Sequence, residues 1–411
     1  MSPAPPAGLR VLYVVSLFPC WSETFIAREI SNLVASGVDV RILSLKPQSE
    51  RMVQTDAAAL LVRVAHPLRG ATAAFAQLGA WARHPLSFAA SAARIAWRLR
   101  RHPAAAAKSL VALGRGMARL RWIEDFDPHI LHAHWATYPS TAAMALGAAL
   151  RRPFGFTAHA HDIFVDDHLL REKLQRASVP VTISRYNVEW LTERVDARAR
   201  QRLSIVHCGV DLPAFAFRRD GRTNDLIVAV GRLDPIKGFD VLVEALARLA
   251  ADGVAFRCRI VGEGPQQADL EAAIARHGLG GHVALLGARP QTEVRDLLQS
   301  ATCFVLPSVV EDDGNRDGIP VALMEAMAVG TPVVSTFVSG IPELVSDGSE
   351  GLLVDERDPL ALAQALARIL GDAGLRDALS RAARAKVERE FDASIEAAKL
   401  LALFRRAADV R

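Results

Sequence analysis

Two runs decide the fold, RVLYVVS at Arg10–Ser16 and VDVRILSL at Val38–Leu45. The first is continuously apolar behind Arg10, the pattern of a strand covered on both faces in a parallel sheet. The second reads as its neighbour. Between them Phe25, Ile26, Ile30 and Leu33 recur at helical spacing, with Ser22 as candidate N-cap and Gly37 as the stop. Strand, helix and strand make a βαβ unit.

The alternation continues along the chain. Strands are expected at 128–133, 154–158, 179–184 and 203–207, with helices at 140–150 and 185–194. A Pro/Ala tail occupies residues 1–8. Residues 208–224 carry Gly209, Pro213 and Gly221 among polar residues and read as a linker. Alternation then restarts with strands at 225–230, 257–261, 283–286, 303–306 and 332–335. The expected class is α/β, with two doubly wound, Rossmann-like domains. At 411 residues there is enough chain for two such cores.

Half the residues, 51%, are apolar and 23% are charged, as in ordinary globular proteins. Cys20, Cys208, Cys258 and Cys303 form no CxxC pair, which argues against zinc and disulfides and for a reducing cytoplasm. Each lies in or beside an apolar run and reads as a small core residue. No run is long enough to cross a bilayer. Residues 10–21 imitate a signal peptide but have no small-residue cleavage site behind them.

The net charge of +4 is unevenly spread: residues 57–123 contain no acid. That stretch holds Arg63, Arg69, Arg83, Arg94, Arg98, Arg100, Arg101, Lys108, Arg115, Arg119 and Arg121, interleaved with Phe75, Trp81, Phe88, Trp97 and Trp122. Basic flanks with aromatic edges suit an anionic membrane surface. The plainer alternative is a solvated Arg/Ala-rich helical face. No nucleic-acid-binding module is recognisable, so nucleic acid is not expected as a partner.

The polar residues at strand ends carry the chemistry, because open α/β sheets bind ligands beyond the carboxyl ends of their strands. The stretch DGIPVALME places Asp317 and Glu325 eight positions apart around Gly318, Ile319, Pro320 and Val321. It reads as a glycine turn leading into a helix, with Pro320 in the first turn and unpaired N–H groups that suit a phosphate. A cap and a solvated acid would give the same spacing. Asp313–Gly318 copies the start of a calcium loop, but the twelfth position is Met324 rather than Glu, which rejects that reading. Arg232 and Lys237 share one glycine-flanked loop and can neutralise a diphosphate, although ordinary surface cations would look the same. Gly262-Glu263-Gly264 begins a dinucleotide fingerprint, but its third glycine position is Gln267. His159, His161 and Asp162 cluster without a fourth metal ligand, so no metal site is expected there.

Taken in order, these motifs resemble family 4 of the retaining glycosyltransferases. The resemblance is carried by GRL (Gly231–Leu233) with Lys237-Gly238, VGEGP (Val261–Pro265), Gly318–Ala328 and GTPVV (Gly330–Val334). In the first half Phe18-Pro19 with SETFI (Ser22–Ile26), HAH (His132–His134), TAHAHD (Thr157–Asp162) and VHCGVD (Val206–Asp211) are similar to the colanic-acid and exopolysaccharide branch.

The resemblance implies the GT-B fold, two Rossmann-like domains facing a central cleft. Residues 1–207 would bind the acceptor and 208–390 the nucleotide sugar, and 391–411 would be a helix crossing back to the first domain. It implies that Arg232, Lys237 and the loop Gly318–Val321 hold the donor diphosphate, and that Glu325 binds the ribose. His159 and Asp317 would contact the donor sugar at the reacting centre. Ser22, Glu23, Thr24, His134 and Asp162 would line the acceptor side. Asp317 is a departure, since the family usually has Glu there. No cofactor and no metal are implied; the donor would be a UDP- or GDP-linked sugar. The acceptor would be lipid-linked, and the enzyme would sit on the inner face of the cytoplasmic membrane through residues 63–122. A nucleotide-sugar epimerase and a non-catalytic sugar-binding protein are the alternatives for the same architecture.

Overall fold

A computed structural model describes residues 8–49, 54–218 and 220–409. Most of the Pro/Ala tail expected over 1–8 lies outside the described residues. The chain forms two compact units. The first runs through Ile183, adds Asn187–His207 and takes in the chain from Glu396 onward; the second holds Ser184–Tyr186 and Cys208–Ile395.

The first unit is built on strands β1 (Arg10–Val15), β2 (Asp39–Ser44), β3 (Val64–Ala65), β4 (Ile130–His134), β5 (Phe154–Ala158), β6 (Val179–Thr182) and β7 (Ser204–Ile205). All pair in parallel, in the order β3-β2-β1-β4-β5-β6-β7. The order reverses between β1 and β4, the place where such sheets open a ligand crevice. Side chains alternate across the sheet. Leu12, Val14, Leu131, Ala133, Phe154 and Phe156 fill one face, and Val11, Tyr13, Val15, Ile130, Val179 and Val181 the other. The helix Thr24–Ala35 buries Ile26, Ile30 and Leu33 against the second face. The helix Ala393–Asp409 adds Leu400, Leu401 and Phe404 to the same core.

The second unit has β8 (Leu226–Val230), β9 (Arg257–Val261), β10 (Val283–Leu285), β11 (Cys303–Val305), β12 (Val333–Thr336) and β13 (Leu352–Val354). They are parallel in the order β10-β9-β8-β11-β12-β13, again reversing after the first strand. One continuous core joins the sheet to the helices Phe239–Ala251, Val321–Ala328, Pro359–Gly371 and Ala373–Glu390.

Local readings need correction in four places. Ser22 is not the cap of the first helix: it lies in an exposed turn, Glu23 occupies the N-cap, and no side chain caps that helix. The Glu23 carboxylate is drawn instead to the indole of Trp135. Pro320 is at the N-cap of its helix with φ −65° and ψ 127°, just before the first turn, so the helix starts at Val321. Cys258 and Cys303 are core residues, but Cys20 and Cys208 are only half-buried, because they sit in loops beyond strand ends. In the acid-free stretch, Phe88 is fully buried and Trp122 lies under the Arg41 guanidinium, 5.1 Å away, so neither is an exposed aromatic edge. The short strands β3 and β13 were not visible as periodic runs.

The ring of Phe404 lies 6.5 Å from Tyr13 and 4.9 Å from His132, with no solvent exposure. Phe404→Ala is therefore expected to destabilise the first unit by about 3–5 kcal/mol, the range for an emptied aromatic core site. Urea unfolding followed by circular dichroism checks this, with the midpoint lowered and the second unit's transition unchanged.

Candidate functional site

Residues of the second unit converge after β8, β9 and β11. Past β8 the chain turns through Gly231 and the short 3-10 turn Pro235–Lys237, then enters the helix Phe239–Ala251. Gly238 at φ +64° is the hinge, and a Cβ there would lie 2.0 Å from the Pro307 carbonyl oxygen. Gly262 at φ +143° leaves its missing Cβ only 1.8 Å from the Gly231 oxygen. The glycines of the VGEGP run thus let the β9 loop press backbone to backbone on the β8 loop. That is their role here, and it accounts for a half-formed dinucleotide fingerprint.

This packing places Lys237 next to Asp317. The ammonium Nζ donates to Asp317 Oδ1 at 2.6 Å, and the Ser308 hydroxyl donates to Oδ2, also at 2.6 Å. Asp317 is 8% exposed, so both oxygens are satisfied away from bulk water. Arg232 pairs with Asp234 at 2.5 Å and has 59% of its side chain exposed. Gly318, Ile319 and Pro320 are buried between Asp317 and the helix. Glu325 is buried in that helix and accepts from Gln291 Nε2 at 3.0 Å. The structure therefore brings Lys237 and Asp317 into contact, holds Gly318–Val321 directly behind them, and leaves Arg232 reaching into solvent. Ser308 and Gln291 were missed by motif reading, because neither carries a charge or a spacing signal.

In the first unit, His132, His134 and Tyr13 share one sheet face, since Tyr13 pairs with His132 and residues 132 and 134 alternate together. The Tyr13 hydroxyl donates to Glu29 Oε1 at 2.6 Å, and His134 Nε2 lies 3.0 Å from the same oxygen. His134 Nδ1 is 3.1 Å from His159 Nε2. The His159 ring is walled by Trp135 at 4.6 Å and Phe25 at 5.0 Å. Its main chain is tied down as well: its N–H donates to Asp162 Oδ1 at 3.0 Å, and its carbonyl accepts from Asn187 Nδ2 at 2.6 Å. Asp162 also accepts from the Ala136 N–H at 2.5 Å, so one buried carboxylate joins the loops after β4 and β5. The buried Lys173 donates to the carbonyls of Ala136, Thr137 and His168 and braces the same turn. Burial lowers its pKa to about 7.

Electrostatics follow from burial. Burial and the neighbouring His134 push His159 well below its usual pKa and His132 down to about 3, so both are neutral near pH 7. Burial opposes ionisation of Glu29, but the charge and hydrogen bond of His134 outweigh it and hold the carboxyl below its ordinary value. Burial, with Glu29 adding to it, raises Tyr13 far above neutral pH and keeps it a donor. Burial also raises Asp162, against the three backbone N–H groups that lower it.

Of the first-unit candidates, the structure unites His134, His159 and Asp162, and attaches Glu23 through Trp135 Nε1 at 3.1 Å. Ser22 is exposed with its hydroxyl 3.5 Å from the Cys20 sulfur, and Thr24 begins the helix, half-buried. Neither joins the histidine cluster. His161 is exposed and the Asp162 carboxylate turns to backbone, so the trio of His159, His161 and Asp162 is not arranged as metal ligands. Among the described residues, Glu29, His132 and His134 do place one ligand atom each within 4.8 Å of one another. Glu29 was overlooked in the sequence. Its signal was an acid between Ile26 and Leu33, on the face the helix buries.

Two family models match the chain: Glycosyltransferase Family 4 over residues 22–213 and Glycosyl transferases group 1 over residues 216–386. WcaL of Escherichia coli (strain K12), named as a colanic acid biosynthesis glycosyltransferase, is 44% identical over 200 residues, 48% of this chain and 49% of that one. The chain spans about half the length of the first curated relatives it matches. A phosphatidyl-myo-inositol mannosyltransferase of Mycolicibacterium smegmatis is 30% identical over 297 residues, 69% of this chain and 72% of that one. The crystal structure of HepE from Anabaena, in complex with UDP and glucose, shares the fold with a TM-score of 0.69 over 97% of this chain and 100% of that one, at 17% identity. With one model on each parallel sheet and this likeness across most of a glycosyltransferase, the chain belongs to the family 4 glycosyltransferases, of the GT-B fold.

Proposed function

We propose that the protein is a retaining glycosyltransferase that moves a sugar from a UDP- or GDP-linked donor to a lipid-linked saccharide in exopolysaccharide synthesis, without a divalent metal or other cofactor. The observation that carries the reading is the Lys237–Asp317–Ser308 cluster at the glycine-packed strand ends. A lysine held beside a short carboxylate is a charge store. An arriving diphosphate offers the ammonium a stronger anion, and Asp317 is then released towards the hydroxyls of the sugar. Arg232, exposed beside Asp234, would supply a second cation from solvent, and the N–H groups at the start of Val321–Ala328 would add to the same anion site. Glu325 would take the ribose hydroxyls in place of Gln291.

Departure of the diphosphate leaves an oxocarbenium-like carbon. Lys237, Arg232 and the helix start stabilise the negative charge growing on the leaving group. No carboxylate here is proposed as a nucleophile; Asp317, once released from Lys237, would accept from the hydroxyls of the sugar. The acceptor hydroxyl would attack on the face the phosphate leaves, giving up its proton to the departing oxygen. His159 would hold a donor-sugar hydroxyl, with Glu23 and Asp162 shaping the acceptor side. The exopolysaccharide assignment draws on the likeness to WcaL.

No helix among the described residues is long and apolar enough to cross a membrane. Contact with the inner leaflet would instead use Phe75, Leu78, Leu86 and Trp97, which are 74%, 64%, 84% and 67% exposed on helices without acids. Their basic neighbours favour an anionic surface by about 1 kcal/mol per cation.

Three outcomes follow. In a thermal-shift panel of UDP, GDP and their sugars, one nucleotide family raises the melting temperature and EDTA leaves the shift unchanged; a shift only with NAD or a metal would overturn the reading. Lys237→Ala lowers transfer by about 100-fold or more and stability by about 1–3 kcal/mol, since Asp317 loses a partner, whereas Glu325→Gln abolishes the nucleotide shift at unchanged stability. In flotation assays the protein binds phosphatidylglycerol vesicles but not phosphatidylcholine ones, and Phe75→Ser with Trp97→Ser abolishes binding; equal binding by that variant removes the membrane assignment.

A further inference from the structure

Asp317 has two partners of different kinds. Its Oδ1 accepts from the Lys237 ammonium and its Oδ2 from the Ser308 hydroxyl, each at 2.6 Å. A lysine carries its charge on a flexible four-carbon stem, whereas a serine hydroxyl stands one carbon from the backbone. Lys237 is half-buried and Ser308 fully buried. The chain around Ser308 is also fastened. Its carbonyl accepts from the Thr336 hydroxyl at 2.6 Å, and the Leu306 carbonyl accepts from the Ser335 hydroxyl at the same distance. Two hydroxyls of β12 thus stitch down the loop after β11. From the other side, the Val309 N–H donates to the Ile236 carbonyl at 2.9 Å, in the turn that carries Lys237. Of the two partners, the lysine is the one free to leave Asp317 and the serine is the one that stays.

We propose that Ser308 is a positioning residue. It holds Asp317 by Oδ2 while the diphosphate draws Lys237 away, so that Oδ1 is the oxygen presented to a hydroxyl of the donor sugar. This rests on the reading of Lys237 as a diphosphate ligand and of Asp317 as a donor-sugar contact. The carboxylate then exchanges one partner on one oxygen and need not reorient. A charge-assisted O–H···O⁻ bond is strong, and with Ser308 and Asp317 both buried little water competes for it. Without the hydroxyl, Asp317 would turn about its side-chain bonds once Lys237 left, and the sugar would meet it in several poses. Removal of the hydroxyl therefore costs turnover rather than nucleotide binding.

Two measurements test this. A crystal structure of the full chain carrying Lys237→Ala imitates the withdrawn lysine without any ligand. The expected structure keeps Asp317 Oδ2 within hydrogen-bond distance of Ser308 Oγ; an Asp317 side chain turned away from Ser308 overturns the proposal. The second measurement is hydrolysis of the best-binding sugar among UDP-glucose, UDP-galactose, GDP-mannose and GDP-fucose. Ser308→Ala should lower kcat, counted per nucleotide-binding site, by about 10-fold or more. Its KM and its affinity for the free nucleoside diphosphate should stay as in wild type. Counting per binding site removes any loss from misfolded protein, which a merely structural serine would cause. An unchanged kcat, or a loss of diphosphate affinity as large as that of Lys237→Ala, overturns the proposal. If wild type binds none of the four sugars, the donor-site reading falls and the sugar contact with it, and the crystal structure still decides whether Ser308 alone holds Asp317.

Discussion

The pair between half-buried Lys237 and buried Asp317 is the interaction on which the second unit's chemistry depends. An ammonium and a carboxylate 2.6 Å apart, nearly out of water, stand only if the surrounding backbone holds them there. Three glycines do that holding. Gly238 admits the Pro307 carbonyl, Gly262 admits Gly231, and Gly264 admits Leu233. A side chain at any of them would force apart the loops after β8, β9 and β11, and the pair would separate. The Ser308 hydroxyl completes the arrangement by taking the second oxygen of Asp317. The family's usual Glu would be one methylene longer; with the shorter side chain Asp317 meets Lys237 and Ser308 at 2.6 Å each.

The first unit solves a similar problem with histidines. Its strand ends carry buried His132, His134 and His159 rather than a lysine–carboxylate pair, with Glu29 beside His134 at the edge of the core. Tying Asp162 to two backbone N–H groups and Lys173 to three carbonyls uses one acid and one base to fix turns. His159 is thereby held from both its main chain and its ring. Packing beneath comes partly from the far end of the chain, where Phe404 lies against Tyr13 and His132.

Much of this was legible in the sequence. Parallel strands buried on both faces announce themselves as apolar runs, and β1, β5, β8 and β9 were readable to within a residue at each end. The two-residue β3 is too short to carry a period. Motif order led to the family, and charge type led to Arg232, Lys237, Asp317 and Glu325. What the sequence could not carry was pairing across the fold. Nothing in the spacing says that Lys237 rests on Asp317, or that Glu29 reaches His134 over 105 positions. Ser22 was misplaced for a related reason: a good capping residue loses to a turn that the backbone of Cys20 and Glu23 closes first. The acid-free stretch was read correctly as helices but not by face, since Phe88 turns inward and Trp97 outward on the same helix.

The most direct measurement is a crystal structure of the protein with the nucleoside diphosphate that binds it. The account predicts phosphate oxygens within hydrogen-bond distance of Lys237 Nζ and the Arg232 guanidinium, ribose hydroxyls on Glu325, and Lys237 no longer committed to Asp317 alone. A diphosphate bound elsewhere, with the Lys237–Asp317 pair undisturbed, would contradict it.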